Sequence, residues 1–144
     1  MMSILSKDKV ILNKKVKTKK EAIECAGKLL VQGNHVTQEY IDKMIEREED
    51  LTTYIGNGVA IPHGTNDSKQ WIRSTGISIV QIPDGVDFGN GNTAYLVIGI
   101  AAVGNEHLEI LSNLAIICSE EENVKKMVQS NSADELLALL EGGM

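Results

Sequence analysis

A histidine between a proline and a glycine is the feature of this sequence best suited to chemistry. Residues 56–65 read GNGVAIPHGT, so that His63 follows a short apolar stretch. Pro62 fixes its own φ and restricts the residue before it to extended geometry, while Gly64 has no Cβ and lets a second backbone or a ligand approach. Because functional side chains tend to sit on loops anchored to a rigid scaffold, we expect His63 to be held in place and open on one side.

A second histidine could act with His63. His107 follows an apolar run at residues 96–103 and lies in the first turn of a helix that Asn105 would begin. Ligands of α/β sheets favour the carboxyl ends of strands, and the N-terminus of a helix attracts anions. The ends of two strands could therefore bring His63 and His107 together, although periodicity alone does not establish that they meet.

Arg47 has two interpretations. It is the only cation in residues 46–50, at the end of a predicted helix. As an exposed residue with i, i+3 partners it would contribute only ~0.2–0.5 kcal/mol, and spacing alone favours this interpretation. The alternative is a positive group that Arg47 supplies to an anionic site. His35, which follows Gly33 in a loop between two helices, is expected to be a solvated turn residue.

Other catalytic templates do not fit. The glycines at residues 56–58 are followed by Ile61 where a dinucleotide fingerprint needs glycine, and no glycine-rich loop ends in Gly-Lys-Ser/Thr. Residues 107–109 are not HExxH, and no spacing of Cys and His supports zinc. A Ser-His-Asp arrangement stays open, although no GxSxG elbow is present. The remaining possibilities are a histidine that carries a group covalently and a hydrolase that uses His63 as a general base.

Length and composition limit the class of protein. The chain has 144 residues, which predicts one domain over residues 1–144, and its 3% aromatic content requires an aliphatic core. The net charge of −6 argues against nucleic acid, even though lysines cluster at residues 14–20. No segment is long and apolar enough for membrane insertion and no signal-peptide pattern is present, so we expect a cytoplasmic protein. Cys25 and Cys118 are predicted to be buried thiols.

Helix caps and apolar periodicity predict the elements. A helix begins at Thr18 and ends at Gly33, a second begins at Thr37, and three more begin at Asn105, Ser119 and Ser132. Extended segments are predicted at residues 51–54, 58–61, 77–82 and 96–103, with turns at residues 84–85 and 89–91. The continuous apolar run at residues 96–103 is typical of a central strand covered on both sides. The fold class is therefore α/β, with three layers and a mixed β-sheet flanked by α-helices on both faces.

Residues 56–65 resemble the active-site segment of the enzyme IIA domains of the bacterial sugar phosphotransferase system, mannitol/fructose class. Residues 97–102 (VIGIAA) and 105–107 (NEH) resemble a second signature, that of the mannitol-specific members. The Ile-Pro-His-Gly core is shared with fructose and nitrogen-regulatory relatives, whereas Thr65 and the NEH triplet favour the mannitol branch. The resemblance covers essentially the whole chain, and it implies a mixed sheet flanked by helices.

The resemblance also implies a mechanism. A phosphohistidine of the small carrier protein HPr would donate its phosphoryl group to Nε2 of His63. His63 would pass it to a cysteine of enzyme IIB, which phosphorylates mannitol during uptake through the membrane-bound enzyme IIC. His107 and Arg47 match the supporting residues of the family, and neither a metal nor another cofactor is required.

Two related alternatives stay open. A nitrogen-regulatory or fructose-type paralogue would have the same fold and the same phosphorylated histidine, and the nitrogen-regulatory type would signal without feeding a transporter. Because nothing follows Gly143 and Met144 in this sequence, we expect a free-standing IIA chain with its IIB and IIC parts on another chain.

Overall fold

The computed structural model describes residues 4–142, apart from the side chain of His107. Within this range five strands and five α-helices follow one another, with two 3₁₀ segments at Lys7–Lys9 and Asn66–Trp71. The elements in chain order are β1 (Val10–Ile11), α1 (Lys19–Gln32), α2 (Glu39–Asp50), β2 (Tyr54–Gly56), β3 (Val59–Ala60), β4 (Gly76–Gly89), β5 (Asn92–Ala101), α3 (Glu106–Cys118), α4 (Glu121–Val128) and α5 (Ala133–Gly142).

The strands form one mixed sheet in the order β1-β4-β5-β3-β2. Two pairs, β1 with β4 and β3 with β5, are parallel, and the other two neighbouring pairs are antiparallel. β5 is the central strand, as its apolar run predicted. The parallel pairing of β3 with β5 matters for function, because it places the carboxyl ends of both strands at the same edge of the sheet.

Helices cover both faces of the sheet, which confirms the three-layer prediction. On one face α1 and α2 pack on the sheet through an aliphatic cluster. On the other face α3, α4 and α5 do the same. β5 contributes to both clusters, with Ile98 and Ile100 on the α3 side and Val97 and Ala101 on the α1 side. Burying each of these isoleucine and valine side chains stabilises the fold by ~1.5–3 kcal/mol.

Two predicted helix starts are confirmed by their caps. The hydroxyl of Thr18 accepts a hydrogen bond from the Glu21 N–H (3.2 Å), and that of Ser132 accepts one from the Glu135 N–H (3.1 Å). α1 also ends before Gly33 as predicted, but the left-handed conformation at this terminus belongs to Asn34 (φ 62°).

Two other helix starts were predicted wrongly. α4 begins at Glu121, because the Ser119 hydroxyl donates to the Ile116 carbonyl (2.6 Å) and so belongs to the end of α3. α2 begins at Glu39, two residues after Thr37. In both cases the hydroxyl residue precedes the helix without capping it, and only the local backbone geometry could have shown this.

The turn predicted at residues 84–85 is also wrong, because these residues lie inside β4. Between the pairs Gln81–Leu96 and Val86–Ala94 the register of β4 against β5 shifts, and the extra residues of β4 are accommodated as an irregularity. Gly85 adopts φ +80°, which explains the turn-like residue type. The turn at residues 89–91 is confirmed, with Asn90 and Gly91 at φ 55° and 80° between β4 and β5.

Both cysteines are free thiols. Cys118 is buried as predicted, and burial raises the pKa of its thiol to about 11. Cys25 is only half-buried, so the prediction holds in part.

Across residues 4–142, none of the helices combines the length and the apolar character that crossing a bilayer demands.

His35 is not a solvated turn residue, and this prediction was wrong. Its side chain is buried, with Nε2 2.6 Å from Nζ of Lys9 and Nδ1 2.9 Å from the hydroxyl of Ser74. Because a lysine ammonium can only donate, Nε2 accepts and Nδ1 carries the proton. Both partners are distant in sequence, so nothing near residue 35 predicts the contact. Burial, reinforced by the neighbouring Lys9 ammonium, lowers the pKa of His35, while Ser74 and Asp8 act in the opposite direction.

The environment of His35 predicts an acid-sensitive fold. The pKa of His35 in the folded state lies below its ordinary value of 6.5. As the pH is lowered, His35 is therefore protonated in the unfolded chain at a higher pH than in the folded chain. The stabilising contribution is therefore complete above the ordinary pKa and is lost as the pH falls from that value through the lower pKa of the folded state. We expect the free energy of unfolding in urea to decrease more steeply from pH 7.5 to pH 5.5 in the wild type than in His35→Gln. Parallel pH profiles for the two proteins would contradict this assignment.

Candidate functional site

His63 lies at the edge of the sheet where the parallel strands β3 and β5 end. The pairing of these strands continues past β3, so that His63 is opposite Ile100. The Ile100 N–H donates to the carbonyl of Pro62 at 2.9 Å, and Ile61 and Pro62 are buried. The histidine is half-buried and follows these residues directly. The structure thus confirms the prediction that His63 is held in place by its neighbours and open on one side.

The backbone beside His63 determines its tautomer. Nδ1 lies 2.9 Å from the carbonyl oxygen of Ile61. A carbonyl oxygen can only accept, so Nδ1 must carry the proton in this hydrogen bond. In the neutral form of this ring the lone pair is on Nε2, so Nε2 is the nitrogen with nucleophilic character. Sequence reasoning did not identify the backbone group that orients Nδ1.

Tyr40 of α2 holds the chain immediately after His63. Its hydroxyl accepts a hydrogen bond from the Gly64 N–H (2.8 Å) and donates one to the carbonyl of Ile100 (2.8 Å). Burial raises the pKa of Tyr40 to about 12, so the hydroxyl keeps its proton at neutral pH. Gly64 packs so closely on the ring that a Cβ there would lie 2.5 Å from Cε1 of Tyr40. The sequence predicted a close approach at Gly64 but not the tyrosine that makes it.

His63 opens onto a cleft of about 350 Å³ between α2, the Asn66–Trp71 segment and α3. Its lining includes both apolar and charged groups. Besides His63 and Gly64, the side chains and backbone that line it belong to Tyr40, Arg47, Asp50, Leu51, Thr65, Asn66, Ser68, Lys69, Ile72, Ile100, Ala102, Leu108 and Leu111.

Arg47 lies in the last turn of α2 and lines the same cleft as His63. It is half-buried, and its Nη1 donates to the carbonyl of Leu51. The next residue, Glu48, points inward and accepts hydrogen bonds from the N–H (2.8 Å) and the hydroxyl (2.7 Å) of Thr53. This buried carboxylate fixes the end of α2 against the chain that leads to β2. The structure therefore brings Arg47 and His63 to the same cleft.

Lys69 is a cation of the cleft that sequence reasoning missed. It lies in the Asn66–Trp71 segment, and its Nζ donates to the carbonyl of Gly104, just before α3. No motif identifies it, because its neighbours in the sequence are polar and irregular. The described lining therefore contains two cations, Arg47 and Lys69, and one carboxylate, that of Asp50. The lining therefore has a local excess of positive charge in a chain of net charge −6.

The first turns of α3 form another wall of the cleft. Leu108 and Leu111 line it, and the carboxylate of Glu106 accepts a hydrogen bond from the hydroxyl of Thr75, which ties the start of α3 to the start of β4. The N–H groups of Glu106 and Leu108 already donate to backbone carbonyls within this turn. His107 is a residue of α3, but its side chain lies outside the described part of the structure.

The site offers no cluster of metal ligands among the residues that the structure describes. What it combines is an imidazole whose tautomer is set by the backbone, an accessible cleft and two cations in the lining of that cleft. This combination suits the acceptance of an anionic electrophile, since phosphoryl transfer depends mainly on in-line positioning and on positive groups around the equatorial oxygens.

Comparison with known proteins identifies the class. The profile of the family "Phosphoenolpyruvate-dependent sugar phosphotransferase system, EIIA 2" matches residues 3–142. The chain belongs to this family, and its function is that of a phosphocarrier in a sugar phosphotransferase system.

Individual relatives agree over nearly their whole length. The chain is 55% identical over 139 residues to the mannitol-specific phosphotransferase enzyme IIA component of Geobacillus stearothermophilus, covering 96% of both chains. It is 51% identical over 138 residues to the component of that name from Bacillus subtilis, again covering 96% of both. Its structure is similar to enzyme IIA-Mtl in the complex with phosphorylated enzyme IIB-Mtl from Escherichia coli, with a TM-score of 0.91, 39% identity, and coverage of 96% and 97% of the two chains.

The packing of Gly64 on Tyr40 predicts that Gly64→Ala destabilises the protein. The added Cβ would approach the Tyr40 ring and the Ser68 hydroxyl too closely, and such overpacking costs ~1–3 kcal/mol. Urea unfolding measures the loss. Gly142→Ala is the control, because a Cβ there would contact nothing within 4 Å, and we expect a change within ~0.5 kcal/mol. Equal effects of the two substitutions would show that Gly64 is not closely packed.

Proposed function

We propose that His63 accepts a phosphoryl group on Nε2 from the phosphohistidine of HPr and passes it to a cysteine of a mannitol-class enzyme IIB. In the first step the P–N bond of phospho-HPr breaks as a P–N bond forms at Nε2. In the second step the enzyme IIB thiolate attacks phosphorus and His63 recovers its lone pair. The observation that carries this proposal is the hydrogen bond from Nδ1 of His63 to the Ile61 carbonyl, because it makes Nε2 the nucleophile.

The hydrogen bond at Nδ1 supports both steps. It restrains rotation of the ring, so Nε2 keeps a defined direction. It also stays compatible with the phosphorylated state, since a phosphoimidazole substituted at Nε2 still carries its proton on Nδ1. The carbonyl of Ile61 can therefore orient the ring before and after transfer without rearrangement.

Arg47 is proposed to offset the charge of the phosphoryl group. It lines the cleft with His63, and hydrogen bonds to a charged group contribute ~1.5–3 kcal/mol. Lys69 adds a second positive charge in the same lining. His107 is retained as a supporting residue on the basis of the family resemblance and of its place in the first turn of α3.

The rim of the cleft suits a protein partner. Leu51 and Leu108 both line the cleft and remain 65% and 61% exposed, so large apolar side chains stand at two of its edges. Exposed apolar residues beside a reactive group are typical of a surface that another protein covers. A partner that buries both leucines would also exclude water from the phosphoryl group during transfer.

The assignment to mannitol rests on the relatives. Those at 55% and 51% identity are named as mannitol-specific, and the E. coli relative of known structure was solved with phosphorylated enzyme IIB-Mtl. Thr65 and the NEH triplet at residues 105–107 point to the same branch. The partners we propose are accordingly HPr as phosphoryl donor and a mannitol enzyme IIB, with its membrane-bound enzyme IIC, as acceptor.

The central prediction is that His63→Ala abolishes phosphoryl acceptance. Purified chain is incubated with ³²P-labelled phospho-HPr, and the labelled chain is then mixed with a mannitol enzyme IIB domain. We expect label on the wild type, its transfer to the enzyme IIB cysteine, and no label on His63→Ala. Labelling of His63→Ala would reject the assignment of the acceptor. A hydrolase would release phosphate without becoming labelled, and a regulatory paralogue would be labelled without passing the group to enzyme IIB.

Removing Arg47 should slow transfer without unfolding the protein. We expect Arg47→Ala to reduce the single-turnover rate about 10–100-fold, which corresponds to one lost hydrogen bond to a charged group. Arg73→Ala is the matched control, since Arg73 is exposed and does not line the cleft. We also expect His107→Ala to slow transfer. Wild-type rates in the Arg47 or His107 variant would exclude that residue from the site, and an equal loss in Arg73→Ala would indicate a nonspecific charge effect.

A further inference from the structure

We propose that Tyr40 is a positioning residue for phosphoryl transfer, because its hydroxyl holds the backbone after His63 in register with the end of β5. The inference rests on the function proposed above, in which His63 accepts the phosphoryl group. Tyr40 acts on the reaction through the position of the histidine.

The hydrogen bonds around His63 show how the tyrosine does this. On the N-terminal side the Ile100 N–H donates directly to the carbonyl of Pro62, at 2.9 Å. On the C-terminal side, a parallel ladder at this register pairs the N–H of Gly64 with the carbonyl of Ile100. The Tyr40 hydroxyl lies between these two groups, 2.8 Å from each. His63 is thus flanked by two connections to Ile100, one direct and one through the phenol.

The tyrosine is suited to act as a rigid spacer. Its side chain is only 2% exposed, and it projects from α2, whose end is anchored by the buried Glu48. The ring packs against the backbone of Gly64. Because the hydroxyl both accepts and donates, it fixes two backbone groups relative to each other, which an apolar ring of the same shape would leave unconnected.

Loss of this connection would act on the direction of Nε2. The Ile61 carbonyl orients Nδ1 from the N-terminal side of His63, and the Tyr40 hydroxyl fixes the backbone on the C-terminal side. Without the hydroxyl, the Gly64 N–H and the Ile100 carbonyl lose the group that bridges them, and the segment that carries His63 can shift. A misplacement of about 1 Å in a reacting group costs about 100-fold in rate.

The test compares Tyr40→Phe with Tyr54→Phe. The hydroxyl of Tyr54 also accepts a hydrogen bond from a glycine N–H, that of Gly58 at 2.9 Å, but it does not line the cleft. The two variants therefore lose the same type of bond at different places. At saturating phospho-HPr, we expect the transfer rate of Tyr40→Phe to fall about 10-fold or more with an unchanged KM, and that of Tyr54→Phe to stay within about twofold of wild type.

A second readout does not require a phosphoryl donor. The ¹⁵N chemical shifts of the His63 ring report its tautomer, and we expect pure Nδ1–H in wild type and Tyr54→Phe but a tautomer mixture in Tyr40→Phe. Wild-type rate and tautomer in Tyr40→Phe would overturn the inference, as would equal losses in both variants. If wild type takes up no label, the proposed function fails, and the tautomer measurement still decides whether Tyr40 positions the ring.

Discussion

The parallel pairing of β3 with β5 is the constraint on which the site depends. It brings the chain after β3 and the chain after β5 to one edge of the sheet, so that His63 and the start of α3 lie on the same cleft. β3 has only two residues in the ladder, and the pairing is extended by the bridge between His63 and Ile100. The chain that follows this short strand is held from outside the sheet by Tyr40 of α2, whose hydroxyl bonds the Gly64 N–H and the Ile100 carbonyl.

The same arrangement explains how an acidic protein can accept an anion. The chain as a whole has a net charge of −6, whereas the described lining of the cleft combines Arg47 and Lys69 with one carboxylate. Both cations are tied to backbone carbonyls at neighbouring loops, Arg47 to Leu51 and Lys69 to Gly104. Their positive charge is thus part of the architecture that surrounds His63, and local potential decides what binds there.

Sequence reasoning recovered the parts of this fold that depend on local patterns. The apolar run at residues 96–103 predicted the central strand, and the caps at Thr18 and Ser132 predicted two helix starts. It failed where a distant partner decides the outcome. The burial of His35 depends on Lys9 and Ser74, and residues 84–85 are part of a strand because of their pairing with β5. For the site, the type and flanks of His63 together with the family resemblance made it the leading candidate, whereas Tyr40 and Lys69 are brought in by tertiary packing alone.

The long β4–β5 hairpin has a consequence for the order of folding. Its turn at residues 90–91 joins adjacent strands, so this pair closes a short loop, whereas β3 and β1 must find partners much farther along the chain, at Leu96 and Ile79. Local contacts form sooner because closing a short loop costs less entropy. We therefore expect the hairpin to form first and the strand before His63 to join it later, so that the acceptor site is assembled only near the end of folding. A nascent or misfolded chain would then not compete with the native protein for the phosphoryl donor.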